Sequence, residues 1–238
     1  MTHLERVPVD ADLARRQWLG YAAALQAEGW ELYEVDPADD CPDAVFVEDT
    51  AIVYGELAVI TRPGADARKP ETAGTELALA GLGYRIAHIT DPGTLDGGDV
   101  LKHGGTVWVG LGGRTNEAGI DQLRGHLEPL GATVVAVPVT KVLHLKSAVT
   151  ALPDGTVVGY EPLVDDPDVW ESFLPVPEES GSHVVLLGGT TVLMSTDAPR
   201  SKALFEERGL DVVAVDISEF IKLEGCVTCL SVRLRHTP

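Results

Sequence analysis

The feature that most constrains this chain is a repeat. A β-hairpin, a loop, a helix and a further strand recur at a spacing of roughly 40–50 residues, across segments 46–89, 99–137, 147–187 and 191–215. A doubly wound sheet would alternate single strands with helices. Hairpins inside each unit point instead to a closed ring of αβ units whose loops meet at a centre.

The units are readable from local pattern. Leu13, Trp18, Tyr21 and Leu25 give segment 11–28 the apolar stripe of a helix that stops at Gly29. Further helices are expected over 70–82, 117–130 and 199–208, the second capped by Thr115 or Asn116. Hairpins are expected over 148–159, around Pro153-Asp154-Gly155, and over 184–195, around Gly188-Gly189. Single strands are expected over 31–35, 57–61, 84–89, 106–109, 134–137, 212–215 and 226–232, with a β stretch over 41–54. Segment 143–147 reads as extended, with His144 and Lys146 on one face, and the acidic, proline-rich segment 163–182 as a helix with loops.

Composition narrows the classes. With 238 residues, 45% of them hydrophobic and 23% charged, the chain can build one large core, and a single catalytic domain over 1–238 is expected. A net charge of -19 argues against nucleic acid and against anionic membrane surfaces, and suits a cationic small substrate. The start, Met1 to Arg6, is polar and lacks the core of a leader, and no apolar run reaches the roughly 18 residues of a membrane span. Three cysteines fit a reducing, cytoplasmic setting.

Several residues stand out chemically. Cys229 lies in an apolar segment, where a cysteine is ordinarily a small buried hydrophobe. Its spacing from Cys226 allows a redox or zinc pair, but residues three apart point to opposite faces of a strand and no second ligand pair follows. Glu48-Asp49 sits between Val45-Phe46-Val47 and Ala51-Ile52-Val53, and buried carboxylates are costly unless they meet a cation. An internal salt bridge and a cation-binding pocket explain that pair equally well. Asp96-Gly97-Gly98-Asp99 allows a sharp backbone path that aims its side chains, although an ordinary turn reads the same way. His144 lies between leucines and can be a core histidine or a catalytic one. The glycines at 110, 112 and 113 lack the Gly-Lys-Ser/Thr ending of a phosphate loop.

Taken together, Asp43-x-x-x-x-Glu48-Asp49, Ile60-Thr61-Arg62-Pro63-Gly64-Ala65, Leu95-Asp96-Gly97-Gly98-Asp99-Val100, Gly113-Arg114-Thr115-Asn116, Leu143-His144-Leu145-Lys146-Ser147 and Thr228-Cys229-x-Ser231 resemble the dimethylargininases. These belong to the guanidino-group-modifying superfamily, and the six motifs keep their order from about residue 10 to residue 235. The resemblance implies a five-bladed α/β propeller (pentein) of ββαβ repeats, in agreement with the repeat above. Against the family pattern, the first strand of blade one and a mobile lid loop are missing, and a start placed downstream of the natural one is the favoured explanation.

The resemblance also implies roles. Cys229 would be the nucleophile, His144 the general acid and base, and Asp96 the group that orients His144 or faces the substrate. Glu48 and Asp49 would grip a guanidinium. Asp43 and the Leu223 carbonyl would hold the α-amine end, and Arg68 and Arg114 the α-carboxylate. The implied reaction is hydrolysis of a methylated arginine to citrulline and an amine through a covalent thiouronium, with no metal or cofactor. Two alternatives stand beside it: an arginine deiminase-like hydrolase releasing ammonia, and a truncated, non-catalytic pentein-fold binding protein. Oligomeric state has no signature in the sequence.

Overall fold

The computed structural model describes residues 7–235, so the polar start Met1–Arg6 lies outside the described residues. In chain order the elements are α1 (Ala11–Ala27), β1 (Ala51–Tyr54), β2 (Leu57–Ile60), α2 (Thr72–Gly81), β3 (Arg85–His88), β4 (Val100–His103), β5 (Thr106–Leu111), α3 (Glu117–Leu127), β6 (Thr133–Pro138) and α4 (Leu145–Ala148). Then follow β7 (Val149–Ala151), β8 (Val157–Gly159), β9 (Phe173–Pro175), β10 (Val185–Gly188), β11 (Thr191–Ser195), α5 (Pro199–Glu207), β12 (Asp211–Val215) and α6 (Ser218–Ile221). No helix among the described residues is long and apolar enough to cross a membrane.

The strands form four sheets of three, in the orders β1-β2-β3, β4-β5-β6, β7-β8-β9 and β10-β11-β12. Each sheet opens with an antiparallel hairpin and ends with a parallel strand. A parallel strand needs a crossover, and α2, α3 and α5 supply it in three of the sheets. The hairpin β4-β5 turns on Gly104 and Gly105, at φ 56° and 84°. Both lie in the left-handed region, which a two-residue turn that follows the strand twist requires.

The chain divides into two compact units, residues 33–146 with 229–235, and residues 7–32 with 147–228. The first contains the sheets β1-β2-β3 and β4-β5-β6. One of its clusters joins Ile52, Val59, Leu95, Val107, Ile120 and Leu123; another joins Ala51, Ala58, Ile60, Leu79 and Tyr84, with Val232 and Leu234 packed against it. The second contains the other two sheets, with α1, α5 and α6. Its core gathers Leu152, Val158, Val192, Met194 and Phe205.

Four expectations need correction. The third unit has no α-helix between β8 and β9; two single 3-10 turns, Glu161–Leu163 and Pro167–Val169, replace it. Pro162 and Pro167 lack the amide hydrogen that a longer helix would need. Strand β10, grouped above with the third unit, is the first strand of the fourth sheet. Segments 31–35 and 226–232 are not strands, so no fifth sheet forms among the described residues. Finally, 143–147 is not extended: it is a bend that enters the one-turn helix α4, whose Leu145 amide donates to Asp99 Oδ1 at 2.9 Å.

Candidate active site

The site is built on the turn that joins β3 to β4. Asp96 is fully buried, and its amide donates to Thr115 Oγ1 at 3.2 Å. Its Oδ1 accepts from the Gly64 amide at 2.8 Å, and its Oδ2 meets His144 Nε2 at 3.0 Å. The two glycines that follow are steric requirements. A Cβ on Gly98 would stand 2.5 Å from His144 Nδ1 and 2.8 Å from Asp49 Oδ1, and one on Gly97 would strike the carbonyl of Glu48. Asp99 then accepts from Leu145 N through Oδ1 and from Thr115 Oγ1, at 2.6 Å, through Oδ2. One short turn thereby fixes both the bend before α4 and the imidazole that the bend presents.

Electrostatics set the charge of that imidazole. Burial alone would lower the pKa of His144, but Asp49, the hydrogen bond to Asp96 and the nearby Asp99 outweigh it and push it up to about 9. His144 is therefore an imidazolium at neutral pH. Burial raises Asp99 to about 6, against His144, Thr115 and the Leu145 amide. Asp96 lies below the usual carboxylate range: burial opposes this, but His144, the Gly64 amide and Arg68 prevail.

Glu48 and Asp49 lie in a 3-10 turn, Val47–Thr50, ahead of β1, and both are buried. Asp49 Oδ2 meets Arg68 Nη1 at 2.5 Å; its Oδ1 accepts from Gly98 N at 2.7 Å and lies 3.9 Å from His144 Nδ1. Arg68 is spent on this frame. It also bonds Glu71 through Nε and Nη2 and reaches the carbonyls of Asp43 and Phe46 through Nη2. Glu48 differs. Its Oε1 pairs with Lys146 Nζ at 2.5 Å and with Arg233 Nη2, while its Oε2 is buried with no hydrogen-bond partner. Arg114 leaves a matching donor. Its Nη1 is buried without a hydrogen bond, 3.6 Å from Asp96 Oδ2. Cys229 is half-buried and free of disulfides, and its carbonyl accepts from Glu48 N at 3.1 Å.

A family model described as arginine deiminase matches residues 21–186. A protein of Streptomyces coelicolor named N(G),N(G)-dimethylarginine dimethylaminohydrolase is 64% identical over 236 residues, which is 99% of this chain and 92% of that protein. The chain belongs to this family. Among solved structures, a dimethylarginine dimethylaminohydrolase with a histidine-to-glycine change, in adduct with S-methyl-L-thiocitrulline, superposes with a TM-score of 0.92 at 30% identity. The enzyme of Pseudomonas aeruginosa, as a cysteine-to-serine mutant complexed with citrulline, gives 0.91 at 30% identity. Both cover 98% of this chain and 93% of their own. The fold is the pentein α/β fold of these dimethylargininases, with four of its units seen here as three-stranded sheets.

Of the residues that the family resemblance marks, the structure gathers Asp49, Asp96, Arg68, Arg114 and His144 into one network; Glu48, beside Asp49 in the chain, pairs instead with Lys146 and Arg233, and its amide donates to the Cys229 carbonyl. Asp43 is half-buried and touches the network through its carbonyl. Leu223 belongs to the other compact unit, where it is 41% exposed and its amide donates to Phe220 O. Arg233 and Glu71 carry no role in the sequence reading, and Thr115 only that of a candidate helix cap. Arg233 left a faint signal: a cation between Val232 and Leu234 in an otherwise apolar segment.

Asp49, Asp96 and His144 offer ligand atoms within 4.8 Å of one another, close enough to share an ion. Two of these atoms, His144 Nε2 and Asp96 Oδ2, are hydrogen-bonded to each other at 3.0 Å.

Proposed function

We propose that this dimethylargininase-family hydrolase converts N-omega-methylated arginine to citrulline and methylamine or dimethylamine. One observation carries the reading: the site holds a buried acceptor without a donor, Glu48 Oε2, and a buried donor without an acceptor, Arg114 Nη1. Leaving such atoms unpaired costs about 1–3 kcal/mol each. A zwitterion with a guanidinium at one end and a carboxylate at the other supplies both partners. Glu48 takes the guanidinium, with Asp49 beside it, and Arg114 takes the α-carboxylate, with Arg68 adding charge from behind. Asp43 serves the α-amine.

The chemistry follows from the charge on His144. Cys229 attacks the guanidinium carbon as a thiolate, forming a C–S bond while a C–N π pair moves onto nitrogen. The methylated nitrogen leaves as a neutral amine, with the proton that His144 delivers. His144, now neutral, takes a proton from water, which adds to the thiouronium carbon. The C–S bond breaks, its electron pair returns to Cys229 as a thiolate, the added oxygen gives its remaining proton to solvent, and citrulline departs. Asp96 holds the ring and stabilises its charged form. The steps draw on no metal or organic cofactor. The partner is a small cation, with no role for nucleic acid or membrane, and the free thiols suit the cytoplasm.

The test is citrulline release from asymmetric dimethylarginine, monomethylarginine and arginine in parallel, with Cys229→Ser as the blank. Release from the methylated substrates supports the proposal. Release from arginine alone would favour a deiminase, the activity that gives the matching family model its description.

A further inference from the structure

We propose that Lys146 and Arg233 are positioning residues that hold Glu48 so that one carboxylate oxygen stays open for the substrate. The proposal rests on the reading of Glu48 as the guanidinium anchor and deepens it. Glu48 is 4% exposed, and a buried carboxylate without cations would neutralise or turn away. Both of its cations fall on the same oxygen, Oε1, and leave Oε2 buried and unpartnered. Two cations free to choose would spread over both oxygens. Placing both on one is the arrangement that reserves the other.

The way Arg233 is held separates a brace from a mimic of the substrate. A guanidinium that imitated the substrate would take the carboxylate as a fork, with two parallel bonds. Arg233 reaches Oε1 through Nη2. Its Nη1 donates to Ser231 O at 2.5 Å and to Ser231 Oγ at 3.2 Å. Arg233 therefore links the segment two residues past Cys229 to the side chain of Glu48. The backbone makes a second link, from Glu48 N to Cys229 O at 3.1 Å. Lys146 fixes the same oxygen from the segment that carries His144. The anchor, the nucleophile's segment and the acid–base residue's segment thus share one carboxylate oxygen. A shift of about 1 Å between reacting groups can cost about a hundredfold in rate, which gives such a coupling its value.

The experiment uses the full chain and monomethylarginine as the probe. Calorimetric Kd is measured in the Cys229→Ser background, where turnover does not interfere. Lys146→Met and Arg233→Met should each weaken binding about tenfold, and Arg233→Lys, which keeps the charge but loses the fork to Ser231, should recover part of the loss. In Cys229→Ser/Glu48→Gln the same substitutions should add less than about twofold, because positioning residues act only through the group they position. A Kd unchanged by either Met variant, tighter binding in Arg233→Met, or losses that add in full to Glu48→Gln would each overturn the proposal. The underlying reading is judged separately, by citrulline release from the wild-type chain. Wild type that turns over methylated arginine while the Met variants bind normally sinks the brace alone. Failure of the Cys229→Ser chain to bind the probe removes both.

Discussion

The two compact units share one plan, hairpin then parallel strand, yet they bury very different groups. In the unit of 33–146 and 229–235, Glu48, Asp49, Arg68, Glu71, Asp96, Asp99, His144 and Lys146 are all buried. In the other unit, Glu219 is the one buried charged residue among those described, and Lys222 Nζ lies 2.7 Å from it. Its remaining buried polar groups are hydroxyls and an amide, such as Ser182, Ser201 and Gln17. Burying a charge costs several kcal/mol unless it is matched. The same strand plan folds in the second unit with almost no buried charge, so the charges buried in the first are not a requirement of the repeat.

The comparison breaks first at His144. His144→Gln should lower kcat by about a thousandfold or more, because it removes the proton donor for the leaving amine; steady-state citrulline assays measure it. Gly98→Ala should come next, near a hundredfold in kcat, because the added methyl displaces the imidazole and Asp49 Oδ1. If Gly98→Ala kept full activity, the packing around that turn would not be what positions the ring. Asp96→Asn should cost about tenfold in kcat and also move a pH profile. In the wild type, kcat/KM should fall as pH rises through about 9, where His144 loses its proton. Without the Asp96 charge that limb should shift to lower pH. A limb that stayed in place would assign it to another group.

Much of the first unit's fold is legible in the sequence, since alternation, glycine turns and the Asn116 cap are local signals. Asn116 Oδ1 does accept from Gly119 N at 2.8 Å. The misreadings come from non-local causes. Segment 143–147 looks extended until Asp99, 46 positions away from Leu145, receives that amide and turns the chain. Segment 226–232 has strand composition, but a strand exists only where a ladder partner does. Within the site, Glu48-Asp49 is conspicuous as charge amid a β-branched run, whereas Asp96 and His144 take roles only through the family resemblance. The answering cations are not conspicuous. Arg233 meets Glu48 across 185 positions, and Arg68 faces Asp49 across 19. Of the two explanations for Glu48-Asp49, the internal salt bridge is present in the fold: Asp49 pairs with Arg68, and Glu48 pairs through Oε1 with Lys146 and Arg233.

The smallest expected effect lies in the second unit and tests the comparison from the other side. Glu178 serves the N-terminus of α5: its Oε2 accepts from Ser201 N at 2.7 Å and from Ser201 Oγ at 2.8 Å, and its Oε1 accepts from Arg200 N at 3.1 Å. These bonds hold its carboxyl below the usual range although burial works the other way. Its contribution is present above the unfolded value of 4.5 and is lost as pH falls through the lower folded value. His144 has the opposite sign. Its contribution is complete below the unfolded value of 6.5 and is lost as pH rises through about 9. Glu178→Ala should therefore cost about 1 kcal/mol by thermal unfolding near neutral pH, as lost helix caps do. Its kcat should stay within about twofold of wild type, and its Tm deficit should shrink toward pH 4, where the wild type begins to lose the same bonds. If that substitution cut kcat tenfold with no change in Tm, Glu178 would be acting in turnover, and the division between a chemical unit and a plain one would have to be redrawn.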